Sequence, residues 1–264
     1  MKISVITIAY NDRAGLESTV DSVRRQDWPD IEHIIVDGGS TDGSADYLAG
    51  LPDAVNWVSE KDGGRYDAMN KGATMASGDL LWFMNSADVF HSEVSVSFVA
   101  REYIKRKFGW GYGLSRIVKG DESVGMAGKV PFEKARFLIG GQVIPHQASV
   151  FARDFFWSLN GYSTNLGLTA DQEFMMRASL KSDPTVWAEV LCDFDVTGAG
   201  STRSAWAHYR DMMRARSSAG IRVTRYQALD TAVSVFFWLY TLVDRIARRP
   251  LRRANPRFVP EDNA

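Results

Sequence analysis

One cysteine, Cys192, stands in the whole chain, so no disulfide can close within it and no cysteine-based zinc cluster can be assembled. That scarcity fits a reducing compartment, and the cytoplasm is the expected location. An excess of one charge is missing too. With 31 Lys and Arg against 32 Asp and Glu, the formal net charge is −1. No global field then draws the protein to nucleic acid, which is not expected as a partner. No membrane-spanning run is present either. The most apolar stretch, ALDTAVSVFFWLYTLV at residues 228–243, contains Asp230 and falls short of the roughly 20 residues that a spanning helix needs. The N-terminal MKISVITIAYN turns polar at Asn11, Asp12 and Arg13 before a secretory signal would be complete, so export is not expected.

Neither an internal repeat nor a low-complexity tract interrupts the 264 residues, of which 45% are hydrophobic and 24% charged. That length and composition fit one large α/β domain, or a domain and a half. Ile3 to Ala9 is a short β-branched run, as expected of a strand buried on both faces of a parallel sheet. Between Arg13 and Gln26, Leu16, Val20 and Val23 recur at helical spacing. Further strands are expected at 31–36, 55–59 and 79–84, with helices at 44–51 and 66–75 between them. Such alternation implies right-handed parallel crossovers and a doubly wound, mostly parallel sheet. In such a sheet ligands bind beyond the carboxyl ends of the strands. Polar clusters fall there: Tyr10 and Asn11, Asp37 to Asp42, and Asn85 to Asp88. Later residues parse less sharply. A helix is expected over 92–106, strands within 109–118 and 147–151, a helix over 171–180, and helix again from Ser204 onward.

Three constellations can carry chemistry. Asp37-Gly38-Gly39-Ser40-Thr41-Asp42-Gly43 puts a carboxylate at a strand end, followed by glycines that allow a nucleotide to approach the backbone. The same Ser, Thr and Asp residues would also cap a helix. Asn85-Ser86-Ala87-Asp88 follows another buried strand. Asp88 is suited to a hard divalent cation that bridges a diphosphate, although the same residue types also favour turns. Pro145-His146-Gln147 is followed by Thr169-Ala170-Asp171-Gln172-Glu173, an acidic pair at the start of a helix. Acids there ordinarily complement the helix dipole.

Taken in order, SVITIAYN, IEHIIVDGGSTDGS, GRYDAMNKGATMASGD and LLWFMNSADVF resemble the family 2 glycosyltransferases, which have the GT-A fold. More narrowly, the chain is similar to bacterial members that act in polysaccharide, lipopolysaccharide or glycolipid assembly. The resemblance is strong over about residues 3–90 and moderate over 140–180. It implies three regions: a nucleotide-sugar-binding half at 1–92, an acceptor and catalytic half at 93–203, and a helical, arginine-rich region at 204–264. It implies that Tyr10 and Asp37 contact the nucleoside, and that Asp67, Asn70 and Lys71 line the donor pocket. Asn85 would contact ribose or phosphate. Asp88 would hold Mg²⁺ or Mn²⁺, with His146 as a further candidate ligand. Asp171 falls at the catalytic base, with Arg177 on the same helix and Glu173 as the alternative base. Two acids common in relatives are replaced here, by Gly38 and Ala87.

The resemblance implies an inverting transfer from a UDP- or GDP-linked sugar to a glycan or lipid-linked acceptor. The arginines at 245, 248, 249, 252 and 253, beside Phe236, Phe237, Trp238 and Tyr240, suit a helix lying on the anionic inner face of a membrane. A sugar nucleotidyltransferase is disfavoured, because no glycine-rich basic loop follows the first strand. A degenerate sugar-nucleotide-binding protein is the remaining alternative, disfavoured by the presence of Asp88 and Asp171.

Overall fold

The computed structural model describes residues 1–120, 122–195, 205–222 and 224–254, the last of these through its backbone alone beyond Val243. Nine strands among the described residues form one sheet: β1 (Ile3–Ala9), β2 (Ile31–Asp37), β3 (Val55–Ser59), β4 (Leu80–Phe83), β5 (Val89–Phe90), β6 (Trp110–Lys119), β7 (Glu122–Ala127), β8 (Ser149–Ala152) and β9 (Thr185–Asp195). The helices are α1 (Arg13–Arg24), α2 (Ser44–Ala49), α3 (Arg65–Met75), α4 (Ser95–Arg106), α5 (Lys134–Leu138), α6 (Arg153–Trp157), α7 (Ala170–Lys181), α8 (Ala205–Ser218) and α9 (Gln227–Ala254).

Strand order is β3-β2-β1-β4-β8-β6-β9-β5, with β7 paired to β6. The first four strands are parallel, as the alternating pattern predicts, and Ala9 pairs with Asp37 so that their carboxyl ends meet on one edge. Beyond β4 the sheet is mixed: β8 runs antiparallel to β4 and β6, whereas β6 and β9 are parallel. The expected halves at residue 92 thus share one continuous sheet, and the boundary at 203 lies outside the described residues. An α/β fold with helices on its sheet is what the sequence pattern requires; β9, β7 and the two-residue β5 carry no comparable pattern. Long β9 is masked because acidic and apolar residues mix in TVWAEVLCDFD, and it is held to β6 by close approach. A Cβ on Gly111 would lie 2.6 Å from the Trp187 ring, so only glycine admits that indole.

Local sequence explains the elements nearest the site. Asp12 caps α1 by accepting the Gly15 N–H at 3.2 Å, and Leu16, Val20 and Val23 bury the opposite face. Behind β4 and β8, Phe83, Phe151, Phe156, Phe174 and Tyr162 pack as one aromatic cluster, with Phe83 and Tyr162 centroids 5.1 Å apart. Each such ring contributes on the order of 2 kcal/mol by burial. The cluster fixes Tyr162, which reaches the site.

In the middle of β2, His33 is buried, with Nε2 2.9 Å from Thr7 Oγ1 and Nδ1 without a hydrogen-bond partner. Burial pushes its pKa down to about 3. Between pH 6.5 and 3 the unfolded chain therefore binds a proton that the folded chain refuses, and stability falls as pH falls. Relative to His33→Gln, the wild type is expected to lose about 2 kcal/mol more on going from pH 7 to pH 5. Urea unfolding at both pH values measures it, and equal losses would contradict the assignment.

Candidate active site

The carboxyl ends of β3, β2, β1 and β4 lie side by side, about 4.8 Å from strand to strand. Asp37, at the end of β2, is fully buried. It accepts the Ser40 N–H at 2.9 Å and the Ser59 hydroxyl at 2.6 Å, and the Ser40 hydroxyl bonds its other oxygen. Three of a carboxylate's roughly four acceptor positions are thus filled. Asp37 organises the 37–43 loop. Asn11, held at a φ of 50°, ties that loop to β1 by donating its N–H to Ser40 Oγ and accepting the Thr41 N–H at 2.8 Å. Tyr10 beside it is 68% exposed, presenting its ring to solvent.

Beyond β4, Ala87 adopts a φ of 71° and Asp88 turns inward, 4% exposed. Burial raises the Asp88 pKa to about 7, against the opposing pull of hydrogen bonds from Gln147 and Asn85 and of the Arg65 charge. Asn85 Nδ2 lies 3.3 Å from Asp88 Oδ2, and Asn85 Oδ1 is buried without a hydrogen-bond partner. A buried carboxyl that gives up its proton near neutral pH, beside an amide oxygen without a hydrogen-bond partner, is an oxygen donor pair suited to a hard cation, whose charge would offset the cost of burying the carboxylate. Among the described residues no three His, Cys, Asp or Glu side chains converge to form a closed metal site. The donor set therefore fits a Mg²⁺ or Mn²⁺ that takes its remaining ligands from a diphosphate and water.

At the start of α7, half-buried Asp171 meets Tyr66 and lies close to His146 and Tyr162. The Tyr66 hydroxyl is in polar contact with both the Asp171 carboxylate and its backbone N–H, and burial raises the Tyr66 pKa well above the usual range. Tyr66 therefore keeps its proton and stands as a donor to the carboxylate. His146 is buried, stacked on Phe83 at 5.7 Å, with Nε2 2.8 Å from the Tyr162 hydroxyl. Burial lowers its pKa, so the ring is neutral. One ring nitrogen is thereby occupied by Tyr162, and only Nδ1 remains for any metal. The next residue, Gln147, hydrogen-bonds Asp88. The dipeptide joins the two acidic centres.

Other sequence candidates sit differently. Glu173, the alternative base, is buried in an ion pair with Arg177, whose Nε lies 2.6 Å from Glu173 Oε1. Arg177 also donates to the Leu159 and Gly161 carbonyls, so the pair braces the loop that carries Tyr162. Asn70 clamps the same loop: its Nδ2 donates to the Tyr162 carbonyl at 2.8 Å and its Oδ1 accepts the Tyr162 N–H at 3.0 Å. Asp67 accepts the Gly63 N–H at 2.8 Å at the start of α3, and Lys71 pairs with Glu60 at 2.7 Å near the surface. Asn70→Ala is expected to cost about 2 kcal/mol, the two lost hydrogen bonds, read as a lower urea midpoint. An unchanged midpoint would show the clamp to be idle.

Of the further residues that the candidate site brings together, Arg65 and Tyr66 lie within GRYDAMNKGATMASGD and Gln147 within Pro145-His146-Gln147, yet the motifs assign none of them a role, and Tyr162 lies in no motif. Arg65 and Tyr66 had one available signal, their position directly after Asp62-Gly63-Gly64 at a helix start. Tyr162 had none, because it arrives through packing.

Comparison with known proteins gives the family and the fold. The family model described as glycosyl transferase family 2 matches residues 4–112. A protein named as an uncharacterized glycosyltransferase of Mycobacterium tuberculosis is 47% identical over 218 residues, covering 80% of this chain and 82% of the relative. A PGL/p-HBAD biosynthesis glycosyltransferase of Mycobacterium bovis is 30% identical over 66% of this chain and 68% of its own. Among solved structures, S. aureus TarS 1-349 in complex with UDP-GlcNAc matches 90% of this chain and 71% of its own, with a TM-score of 0.68 at 18% identity. The mannosyltransferase PcManGT from Pyrobaculum calidifontis, in complex with GDP-Man and Mn²⁺, covers 97% of this chain and 81% of its own, with a TM-score of 0.63 at 16% identity. The fold is thus that of GT-A structures. The chain belongs to glycosyltransferase family 2, enzymes that transfer a sugar from a nucleotide sugar.

Proposed function

We propose that the chain transfers a sugar from a UDP- or GDP-linked donor to a hydroxyl of a glycan or lipid-linked acceptor, with inversion at the anomeric carbon. The observation that carries this reading is the His146–Gln147 turn, which faces Asp171 through His146 and Asp88 through Gln147. Asp171 takes the proton of the acceptor hydroxyl as that oxygen bonds to the anomeric carbon and the bond to the diphosphate breaks. With one base and no protein nucleophile, transfer is a single displacement, by analogy with glycosidases. Tyr66 orients the carboxylate, while His146, neutral and held by Tyr162, backs the pocket without competing for the proton. Arg65 and the first backbone N–H groups of α3 meet the diphosphate, where a helix N-terminus favours anions. Asp88 and Asn85 would hold Mg²⁺ or Mn²⁺, which when bound neutralises charge on the leaving diphosphate. Asp37, Asp67, Asn70 and Lys71 shape the donor pocket by holding its loops rather than by touching the sugar.

Two solved structures of the same fold lend the chemistry support: TarS is described in complex with UDP-GlcNAc and PcManGT with GDP-Man and Mn²⁺. The PGL/p-HBAD biosynthesis relative favours a glycolipid acceptor. Contact with the cytoplasmic face of a membrane belongs to the same reading. No helix among the described residues is long and apolar enough to cross a bilayer. Helix α9 nevertheless exposes Leu239, Tyr240, Leu242 and Val243, the last 64% exposed. The side chains of Phe237 and of the arginines at 245–253 lie outside the described residues. The protein is expected to sediment with anionic vesicles at low salt and to be released at about 0.5 M salt, where surface charge is screened. Failure to sediment would remove the membrane from the proposal.

A donor panel tests the whole. UDP- and GDP-sugars with Mn²⁺ and a lipid-linked acceptor should yield released nucleoside diphosphate, and the bound donor should raise the melting temperature. No shift with any donor would overturn the nucleotide-sugar site. A shift without release across the acceptor panel would overturn the catalytic assignment.

A further inference from the structure

Gly38 leaves a gap in the strand-end row that a residue from another loop fills. A Cβ placed on Gly38 would lie 2.9 Å from Asp62 Oδ2 and 3.2 Å from the Tyr10 ring at Cδ2. The Asp62 carboxylate, from the loop between β3 and α3, and the Tyr10 ring thus both close on the space that a side chain at position 38 would take. Its Oδ1 accepts the Gly64 N–H at 2.8 Å, which fixes the side chain and leaves Oδ2 facing the glycine. Lys71, whose charge is near Asp62, is already paired with Glu60.

The order of strands says what this corner receives. The inference rests on the donor reading above: with the sugar at Asp171, on the β8 side, and the diphosphate beside Asp88 at β4, the nucleoside must extend over β1, β2 and β3. Tyr10, Gly38 and Asp62 stand at those three strand ends. An exposed aromatic ring, a floor without a side chain and a single free carboxylate oxygen suit a flat heterocycle presenting one ring N–H. We propose that Asp62 is the specificity-determining residue for the base, its Oδ2 accepting the ring N–H of uracil, thymine or guanine. Cytosine and adenine present a ring acceptor at the corresponding edge, and a carboxylate opposite it is repulsive.

Binding of UDP, dTDP, GDP, CDP and ADP to the full chain with Mn²⁺, measured by titration calorimetry, tests this and identifies which N–H base is used. The wild type should bind at least one of UDP, dTDP and GDP about 10-fold or more tighter than CDP and ADP. Asp62→Ala should reduce that affinity about 10-fold while leaving CDP and ADP nearly unchanged. Asp62→Asn, which keeps the acceptor for Gly64 and offers an amide donor, should narrow the preference over CDP. Each variant is its own control, since misfolding would weaken all five nucleotides together. A preference that survives both substitutions overturns the role of Asp62. Absence of binding by any nucleotide to the wild type overturns the donor reading on which it rests.

Discussion

Asp171→Asn is expected to lower kcat about 1,000-fold while leaving the affinity for donor within about twofold. General-base catalysis is worth roughly 10² to 10⁴ in rate, and the amide cannot take a proton from the acceptor hydroxyl. Donor binding should survive because the groups assigned to the nucleotide lie at the ends of β1 to β4 and on α3, not on α7. The asparagine also retains an acceptor for the Tyr66 hydroxyl, so the pocket should keep its shape. Measuring kcat together with the donor-induced thermal shift separates the two effects. A variant with nearly full activity would move the base elsewhere. Glu173 is a poor refuge for it, being committed to Arg177 at 2.6 Å and buried.

Asp88→Asn should separate activity from stability in opposite directions. Charge stabilisation on the leaving diphosphate is worth several kcal/mol, so loss of the carboxylate should reduce kcat about 1,000-fold and weaken dependence on Mn²⁺. The metal-free protein should behave otherwise. The Asp88 pKa stands at about 7 in the folded chain, above the carboxyl's ordinary 3.8. A raised carboxyl contributes stability that is full below 3.8 and is lost as pH rises through 7. Above pH 7 the metal-free wild type therefore carries an ionised, buried carboxylate, a penalty on the order of 4 kcal/mol. The asparagine variant lacks that titration and should melt higher than metal-free wild type at pH 8, with the gap closing towards about pH 5. Saturating Mn²⁺ should raise the melting temperature of the wild type alone. A variant less stable than the metal-free wild type at pH 8 would show that burial is not what perturbs Asp88.

The parts of the site legible in the sequence are those governed by local pattern. The β-branched runs at Ile3–Ala9 and Ile31–Asp37 place Tyr10 and Asp37 at strand ends, and Asn85 to Asp88 follow β4 for the same reason. Distinguishing the members of each polar cluster was beyond that pattern. Asp171 and Glu173 are two residues apart on α7, about 200° around the helix. Whichever faces the cleft leaves the other to the interior, and only packing against Arg177 shows that Glu173 is the interior one. Asn70 reads as a pocket residue from its motif, yet its amide is spent on the Tyr162 backbone, 92 residues away.

Local sequence thus settles the parallel strand-helix alternation, the edge at which ligands must bind and the acids available there. Periodicity and β-branching act over a few residues and survive in the linear text. The meeting of His146 with Tyr162, and of Gln147 with Asp88, exists only once the chain is folded. So does the approach of the Asp62 carboxylate to Gly38, across the gap between two loops. Those juxtapositions come from the order of strands in the sheet and from the aromatic packing behind it. They depend on contacts between residues tens of positions apart, which no local spacing encodes.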